Sequence, residues 1–373
     1  MAGLREVVRF ALRWVAAEPA TPRRAGVLLG FFVVYPLLEA VVWAGLWADE
    51  FVFRAYRKRA VSGPVFIVGN FRSGTTFLHR LLARDEERFA TMRLWEILFA
   101  PSVCARVVAR WLTWLWRGEA RDEAGGRDGI HPVTLGDPEE DDYLFLHIFQ
   151  ALTVGLASGL PDLARPYAAF DDEIPAVRRK RLMRFYAAMI RRHLHFAGGN
   201  RVYLSKNPAA TPKIRSILEE FPDARLIVLV RDPADVLPSI SSMMRVTWRA
   251  VGANERDPDL RGFLLETARD WYRRPREVAE RTRNVCFLRY GDLVGDPGGA
   301  VNAIYRHFGI QPGPAFAEIL ARECAAARAY TSRHEYSAES EGFSRAELAA
   351  LADDAEGFPW LETGAGVSGR AEE

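Results

Sequence analysis

The stretch Pro64-Val65-Phe66-Ile67-Val68-Gly69-Asn70-Phe71-Arg72-Ser73-Gly74-Thr75-Thr76 decides the fold. Residues 64–68 are a short apolar, β-branched run, the pattern of a buried strand. Phe77-Leu78-His79-Arg80-Leu81-Leu82-Ala83-Arg84-Asp85 follows and reads as a helix. Strand, glycine-bounded loop and helix N-terminus together make a phosphate cradle. The first N–H groups of a helix point at the ligand, and the helix dipole favours negative charge there. Gly69 and Gly74 have the spacing of a nucleotide P-loop, but the Lys that should follow the second glycine is missing. Thr75 and Thr76 stand in its place, and the basic residue comes earlier, at Arg72. The loop therefore keeps backbone N–H groups over 72–76 and the hydroxyls of Ser73, Thr75 and Thr76, and loses triphosphate and Mg²⁺ chemistry. On glycine spacing alone, a plain strand-to-helix turn capped by threonine is an equal reading. Arg-Ser-Gly-Thr-Thr behind an apolar strand favours the cradle.

Further along the chain, Arg225-Leu226-Ile227-Val228-Leu229-Val230 is a second buried-strand candidate. Arg231-Asp232-Pro233 ends it, and a helix is expected from about Asp235. Residues 285–288 make a third strand, and 174–196 and 261–281 read as helices. Strands separated by helices predict an α/β fold with a parallel sheet. Residues 118–130 form a polar, Gly-rich loop. The expected organisation is a helical segment over 1–60, one domain over 61–361 and a flexible tail over 362–373.

PVFIVGNFRSGTTFLHRLL resembles the 5′-phosphosulfate loop of sulfotransferases that use 3′-phosphoadenosine 5′-phosphosulfate (PAPS). It is most similar to the branch with Arg before Ser-Gly-Thr-Thr, which includes tyrosylprotein enzymes and many bacterial small-molecule enzymes. Arg231-Asp232-Pro233-Ala234-Asp235-Val236-Leu237-Pro238-Ser239 resembles the 3′-phosphate motif of the family, an Arg at a strand end and a Ser on the next helix. A guanidinium fork and a hydroxyl suit that phosphate. Tyr203-Leu204-Ser205-Lys206-Asn207-Pro208 resembles the Lys-x-Pro element. Arg289-Tyr290-Gly291-Asp292-Leu293 resembles the Tyr-x-x-Leu element, which puts Tyr290 near the nucleotide; a strand-end aromatic packed on a helix is the alternative. The resemblance covers residues 62–310 and implies a P-loop-like parallel sheet flanked by helices, with an N-terminal helical extension.

It also implies sulfuryl transfer from PAPS to a hydroxyl or amine, without a metal. PAPS would be held by Arg72, Ser73, Gly74, Thr75, Thr76, Arg231, Ser239 and Tyr290. Arg72 would stabilise charge on the departing phosphate, and Lys206 would be a second cation. Because a guanidinium does not give up its proton, the role of Arg72 is electrostatic. The cytosolic small-molecule branch places its basic His where this chain has Pro208, so that base is absent. The Arg branch uses a Glu beyond the first helix, and Glu96 fits that role; a helix cap or salt bridge is the competing reading. His131 and the run Glu139-Glu140-Asp141-Asp142 are the alternatives for the base, the run otherwise reading as a solvated helix start. His79 reads as a packed or exposed helix residue rather than a base. Arg333, in 331–337, falls where the family places a loop over the 3′-phosphate; a plain surface loop is the competing reading.

Composition bounds these readings. The chain has 373 residues, 49% hydrophobic and 26% charged, which excludes a disordered chain, a collagen and a coiled-coil rod. A net charge of +2 excludes bulk binding of nucleic acid, so any anion is held by a local site. The seven His and three Cys show no metal-ligand spacing. Cys104, Cys286 and Cys324 are odd in number and scattered, which points to a reducing, cytoplasmic compartment.

Residues 4–15, LREVVRFALRWV, alternate arginine and apolar faces as a basic amphipathic helix. Residues 25–47 are apolar except for Glu39 and long enough to span a bilayer, with Pro36 expected to kink or end the helix. A buried hairpin, a peripheral membrane attachment and a true span all fit. Trp111, Trp114, Trp116, Phe145, Phe149, Tyr167 and Phe170 suggest an apolar acceptor, a small molecule or lipid, although such residues commonly pack in cores. The competing functions are a P-loop-type kinase or nucleotide phosphohydrolase, and a non-catalytic membrane-associated nucleotide-binding protein.

Overall fold

The computed structural model describes residues 2–16, 21–108, 134–255, 259–327, 341–355 and 358–361. The 118–130 loop, Trp111, Trp114, Trp116, His131, Arg333 and the tail over 362–373 lie outside them.

Five parallel strands form the sheet: β1 (Val65–Gly69), β2 (Phe89–Ala90), β3 (Val202–Lys206), β4 (Arg225–Val230) and β5 (Val285–Arg289), in the order β2-β3-β1-β4-β5. β1 is central and wholly buried, which is why its sequence is continuously apolar rather than alternating. Side chains still alternate by face. Phe66 and Val68 join Leu226, Val228, Val230 and Phe287 in one core, while Val65 and Ile67 join Ile227, Leu229 and Leu288 in the other. Helices therefore cover both faces.

The three expected strands are present, and the expected helices run Ala176–Ala197 and Asp259–Ala279. The helix after β4 spans Pro233–Val251, with Asp232 accepting from the Ala234 N–H and Pro233 in its first turn. β3 and the two-residue β2 had no clear strand signal. β3 ends in Ser205-Lys206, and β2 exists through its pairing with β3 at Phe89↔Val202 and Ala90↔Tyr203.

At the N-terminus, α1 (Ala2–Ala16) and α2 (Pro22–Val52) form a hairpin. Phe10 and Trp14 of α1 pack with Phe31 of α2 and with Phe149. α2 continues through Pro36, which corrects the expected stop. A proline inside a helix costs about 3 kcal/mol through a lost hydrogen bond and a ring clash with the preceding turn. Packing of Phe31 and Tyr35 before Pro36, and of Glu39 and Val42 after it, offsets that cost.

Candidate active site

β1 connects to β2 and β3 on one side of the sheet, while β4 and β5 lie on the other. The strand order thus reverses beside β1, and the crevice at the carboxyl ends of β1 and β4 is the natural ligand position of such a sheet. The loop from Gly69 to Gly74 sits there, followed by helix α3 (Thr75–Leu82). Gly69 has φ +134°, and a β-carbon on it would lie 2.2 Å from the Leu229 carbonyl oxygen. Gly74 has φ +86°, and its β-carbon would lie 2.7 Å from the Tyr290 ring. Arg72 takes the left-handed conformation at φ +67°, a strained choice for a non-glycine residue of the kind that collects at functional sites.

The two motifs converge. Arg72 Nε donates to Ser239 Oγ at 3.0 Å, and Arg231 NH1 donates to the Arg72 carbonyl at 3.2 Å. The Arg231 guanidinium lies 4.4 Å over the Tyr290 ring and donates through Nε to Asp235 at 3.1 Å. Tyr272 Oη donates to the Arg231 carbonyl at 2.7 Å. Ser73 is fully buried at the loop, and its hydroxyl has no protein partner. α3 begins without a side-chain cap, so its first N–H groups, which have no intrahelical acceptor, are not taken by a capping side chain either. Thr75 is buried there and Thr76 is exposed. Two guanidinia, an orphaned buried hydroxyl and a helix N-terminus with no room for a β-carbon make an anion cradle. Adenosine phosphates fit that donor set.

Lys206 ends β3, opposite Ile67 of β1. Its buried ammonium donates to Glu140 Oε1 at 2.9 Å and Glu139 Oε1 at 3.2 Å. Burial pushes the Glu140 carboxyl above its usual range, with Lys206 opposing. The neighbouring carboxylates are buried, not a solvated helix start. Asp141 accepts from Tyr186 Oη at 2.5 Å, Tyr203 Oη at 2.6 Å and Asn207 Nδ2 at 2.9 Å, and Asp142 pairs with Lys213. Each carboxylate had to find donors in the interior once the chain buried it. Of the two helix readings of His79 the structure takes the packed one: it is fully buried with Nε2 2.6 Å from Thr91 Oγ1, and burial with Lys206 nearby holds its pKa well below the ordinary value.

Glu96, expected as acceptor base, lies buried on α4 (Leu94–Leu98). Its Oε2 accepts from the Arg93 N–H at 2.8 Å, and its Oε1 pairs with Arg106 at 3.1 Å. Arg106 NH2 also meets His193 Nδ1 at 2.8 Å, and its guanidinium lies 5.0 Å from the Phe196 ring centroid. Both carboxylate oxygens of Glu96 thus serve the capping and ion-pair reading. Among the described residues, three of the aromatics expected along an acceptor pocket are core instead: Phe145 stacks on Tyr186, Phe170 is fully buried, and Phe149 sits among Phe10, Phe31 and Tyr35. Arg106, His193, Tyr272 and Asp235 were not singled out from the sequence. The contacts of the first three cross 10 to 97 residues of chain or pair with backbone atoms, which leaves no local pattern. Asp235, four residues after Arg231 in the first turn of the next helix, was visible as a short-range charge partner.

Residues 64–313 match the sequence model of the Sulfotransferase family. Over 298 residues the chain is 31% identical to the omega-hydroxy-beta-dihydromenaquinone-9 sulfotransferase Stf3 of Mycobacterium bovis and to that of Mycobacterium tuberculosis, covering 75% of this chain and 72% of each relative. Among solved structures it is similar to sulfotransferase STF9 of Mycobacterium avium, with a TM-score of 0.65 at 17% identity over 86% of this chain and 82% of that one. It is also similar to sulfotransferase STF1 of Mycobacterium tuberculosis, with a TM-score of 0.61 at 20% identity and the same coverage. With a parallel sheet whose switch point carries an arginine-bearing anion loop, and with that match over most of its length, this chain belongs to the sulfotransferase family.

Proposed function

We propose that this sulfotransferase takes its sulfuryl group from PAPS and gives it to a hydroxyl or amine of an apolar small molecule or lipid, in a reducing compartment, with residues 1–60 in contact with a lipid surface. The observation that carries the donor assignment is the Arg72 Nε to Ser239 Oγ bond, which joins the two phosphate motifs in one crevice. In this reading Ser73, Thr75, Thr76 and the α3 N-terminus hold the 5′ end of the nucleotide, with Gly74 giving the clearance. Arg231, Ser239 and Tyr290 hold the 3′-phosphate end.

During transfer the bond from sulfur to the bridging phosphate oxygen breaks and a bond from sulfur to the acceptor oxygen or nitrogen forms. Adenosine 3′,5′-bisphosphate leaves, and the acceptor proton goes to a base. Arg72 neutralises charge growing on the bridging oxygen, where a fixed cation favours the transition state over the ground state. Lys206, held by Glu139 and Glu140, orients that carboxylate pair. Glu140 is our first choice for the base, because it touches Lys206 and burial raises its proton affinity above that of an ordinary carboxylate. Glu96 is the second choice, since both of its oxygens are already engaged. The named substrate of the Stf3 relatives, a hydroxylated dihydromenaquinone, supports a lipid alcohol as the acceptor class.

Differential scanning fluorimetry tests the donor. Adenosine 3′,5′-bisphosphate should raise Tm without Mg²⁺, and ATP with Mg²⁺ should not. Equal stabilisation by both would favour a kinase or nucleotide hydrolase. Labelled PAPS incubated with a lipid extract then tests the acceptor; label confined to water-soluble products would reject the apolar class.

A further inference from the structure

The hairpin of α1 and α2 has two unlike sides. One side of α2 is bolted to the sheet domain. Tyr35 Oη donates to the Leu146 carbonyl at 2.8 Å, Glu39 Oε1 lies 2.8 Å from His147 Nδ1, and Trp43 Nε1 donates to the His147 carbonyl at 3.2 Å. Asp49 is fully buried, accepting from Cys104 N–H at 2.8 Å, Val103 N–H at 3.0 Å and Arg192 Nε at 3.1 Å. Val42 and Leu46 are buried on the same side. At about 100° per residue, Leu29, Val33, Leu37, Val41, Trp47 and Phe51 fall on the opposite side. They are 53–68% exposed.

From Ala25 to Ala48 the one charged side chain is Glu39, and it turns inward. An exposed helix face in water normally carries charge. This one carries none for about 35 Å of helix, at about 1.5 Å per residue. On α1, exposed Arg5, Arg9 and Arg13 interleave with exposed Val8, Leu12 and Val15, while Phe10 and Trp14 face inward. Arg54, Arg57 and Lys58 are exposed just beyond α2.

We infer that α2 docks this enzyme on an anionic lipid bilayer lying in the membrane plane, its outer ridge in the acyl–headgroup boundary and the arginines of α1 at the phosphates, and that α2 does not span. The inference deepens the lipid contact proposed above and is independent of donor identity. A spanning helix is wrapped by lipid on every side at mid-length, whereas α2 is bonded to protein from Tyr35 to Asp49, about 21 Å of its axis. An amphipathic, arginine-rich, apolar surface is what an interfacial helix needs. A second copy of the chain is disfavoured as the occupant, because a self-complementary interface would need acidic partners for Arg5, Arg9 and Arg13, and Glu6, the one acidic residue of α1, is already paired with Arg178. The same helix reaches the site wall: His147, gripped by Glu39, meets the Ile97 carbonyl of α4 through Nε2 at 2.7 Å.

Vesicle flotation of the full chain tests this, using phosphatidylcholine vesicles with and without phosphatidylglycerol. The chain should float with the anionic vesicles and be released by alkaline carbonate. Replacing Arg5, Arg9 and Arg13 together by Ser should lower the partition coefficient roughly a hundredfold. Leu37→Glu with Trp47→Glu should abolish flotation while Tm elevation by adenosine 3′,5′-bisphosphate is kept, which shows the fold intact. No flotation, unchanged flotation of that double variant, or wild-type chain resisting carbonate would overturn the inference. So would a dimer in solution that the double variant splits. Flotation without nucleotide stabilisation would sink the donor reading and leave the docking in place.

Discussion

A β-carbon at Gly74 would stand 2.7 Å from the Tyr290 ring, so Gly74→Ala should push Tyr290 off Arg231 and open the loop. We expect it to erase the Tm rise caused by adenosine 3′,5′-bisphosphate, read by scanning fluorimetry. Arg72 is exposed and takes no part in the core, so Arg72→Ala should leave Tm nearly unchanged while lowering kcat by roughly 10²–10³, the usual loss for one preorganised charge-stabilising donor. Glu140 makes a pH prediction. Burial raises its carboxyl, and only the ionised form accepts a proton. Activity should therefore fall as pH drops through a value above the ordinary carboxylate range, and Glu140→Gln should lose both the activity and that acidic limb in a kcat–pH profile. If Glu96→Gln rather than Glu140→Gln removes the limb, the base is Glu96.

The local signals differed between elements. β1 and its loop were readable because a buried central strand is apolar throughout and its loop glycines are imposed by backbone contact, as at Gly69 against Leu229. β3 was not readable as a strand: its buried Lys206 is tolerable only because Glu139 and Glu140, far off in sequence, neutralise it. Glu96 had two readings that sequence could not separate, since its partner Arg106 is named only by the packing of α4. α2 carries a prediction of its own. Asp49→Ala would strip a buried guanidinium, Arg192, of one carboxylate and leave the Val103 and Cys104 N–H groups unsatisfied. Chemical denaturation should show a loss of about 3–5 kcal/mol.

Across the whole molecule, pH should act on stability through two buried imidazoles. His79 and His193 are each held well below the ordinary His pKa, first by burial and then by neighbouring cations. Both are neutral in the fold and gain protons in the unfolded chain below about pH 6.5, so their contribution is complete above that pH and is lost as pH falls below it. Buried carboxyls with raised pKa work in the opposite direction. The His term is therefore isolated as the difference in Tm between wild type and His79→Gln, which should shrink as pH falls from 7 to 5. What the amino-acid order determined by itself was local: an apolar strand, an anion loop with Arg72 in place of the P-loop lysine, and a second arginine motif at a strand end. These are short-range features, set by backbone geometry and the period of burial. That Arg72 would meet Ser239, that Lys206 would be clamped by two glutamates, and that one side of α2 would be bonded to the domain while the other stayed bare were decided by tertiary structure alone. Each is a contact between residues about 65 to 170 positions apart, made when parallel strands are laid side by side through long crossovers, and no local pattern encodes such neighbours.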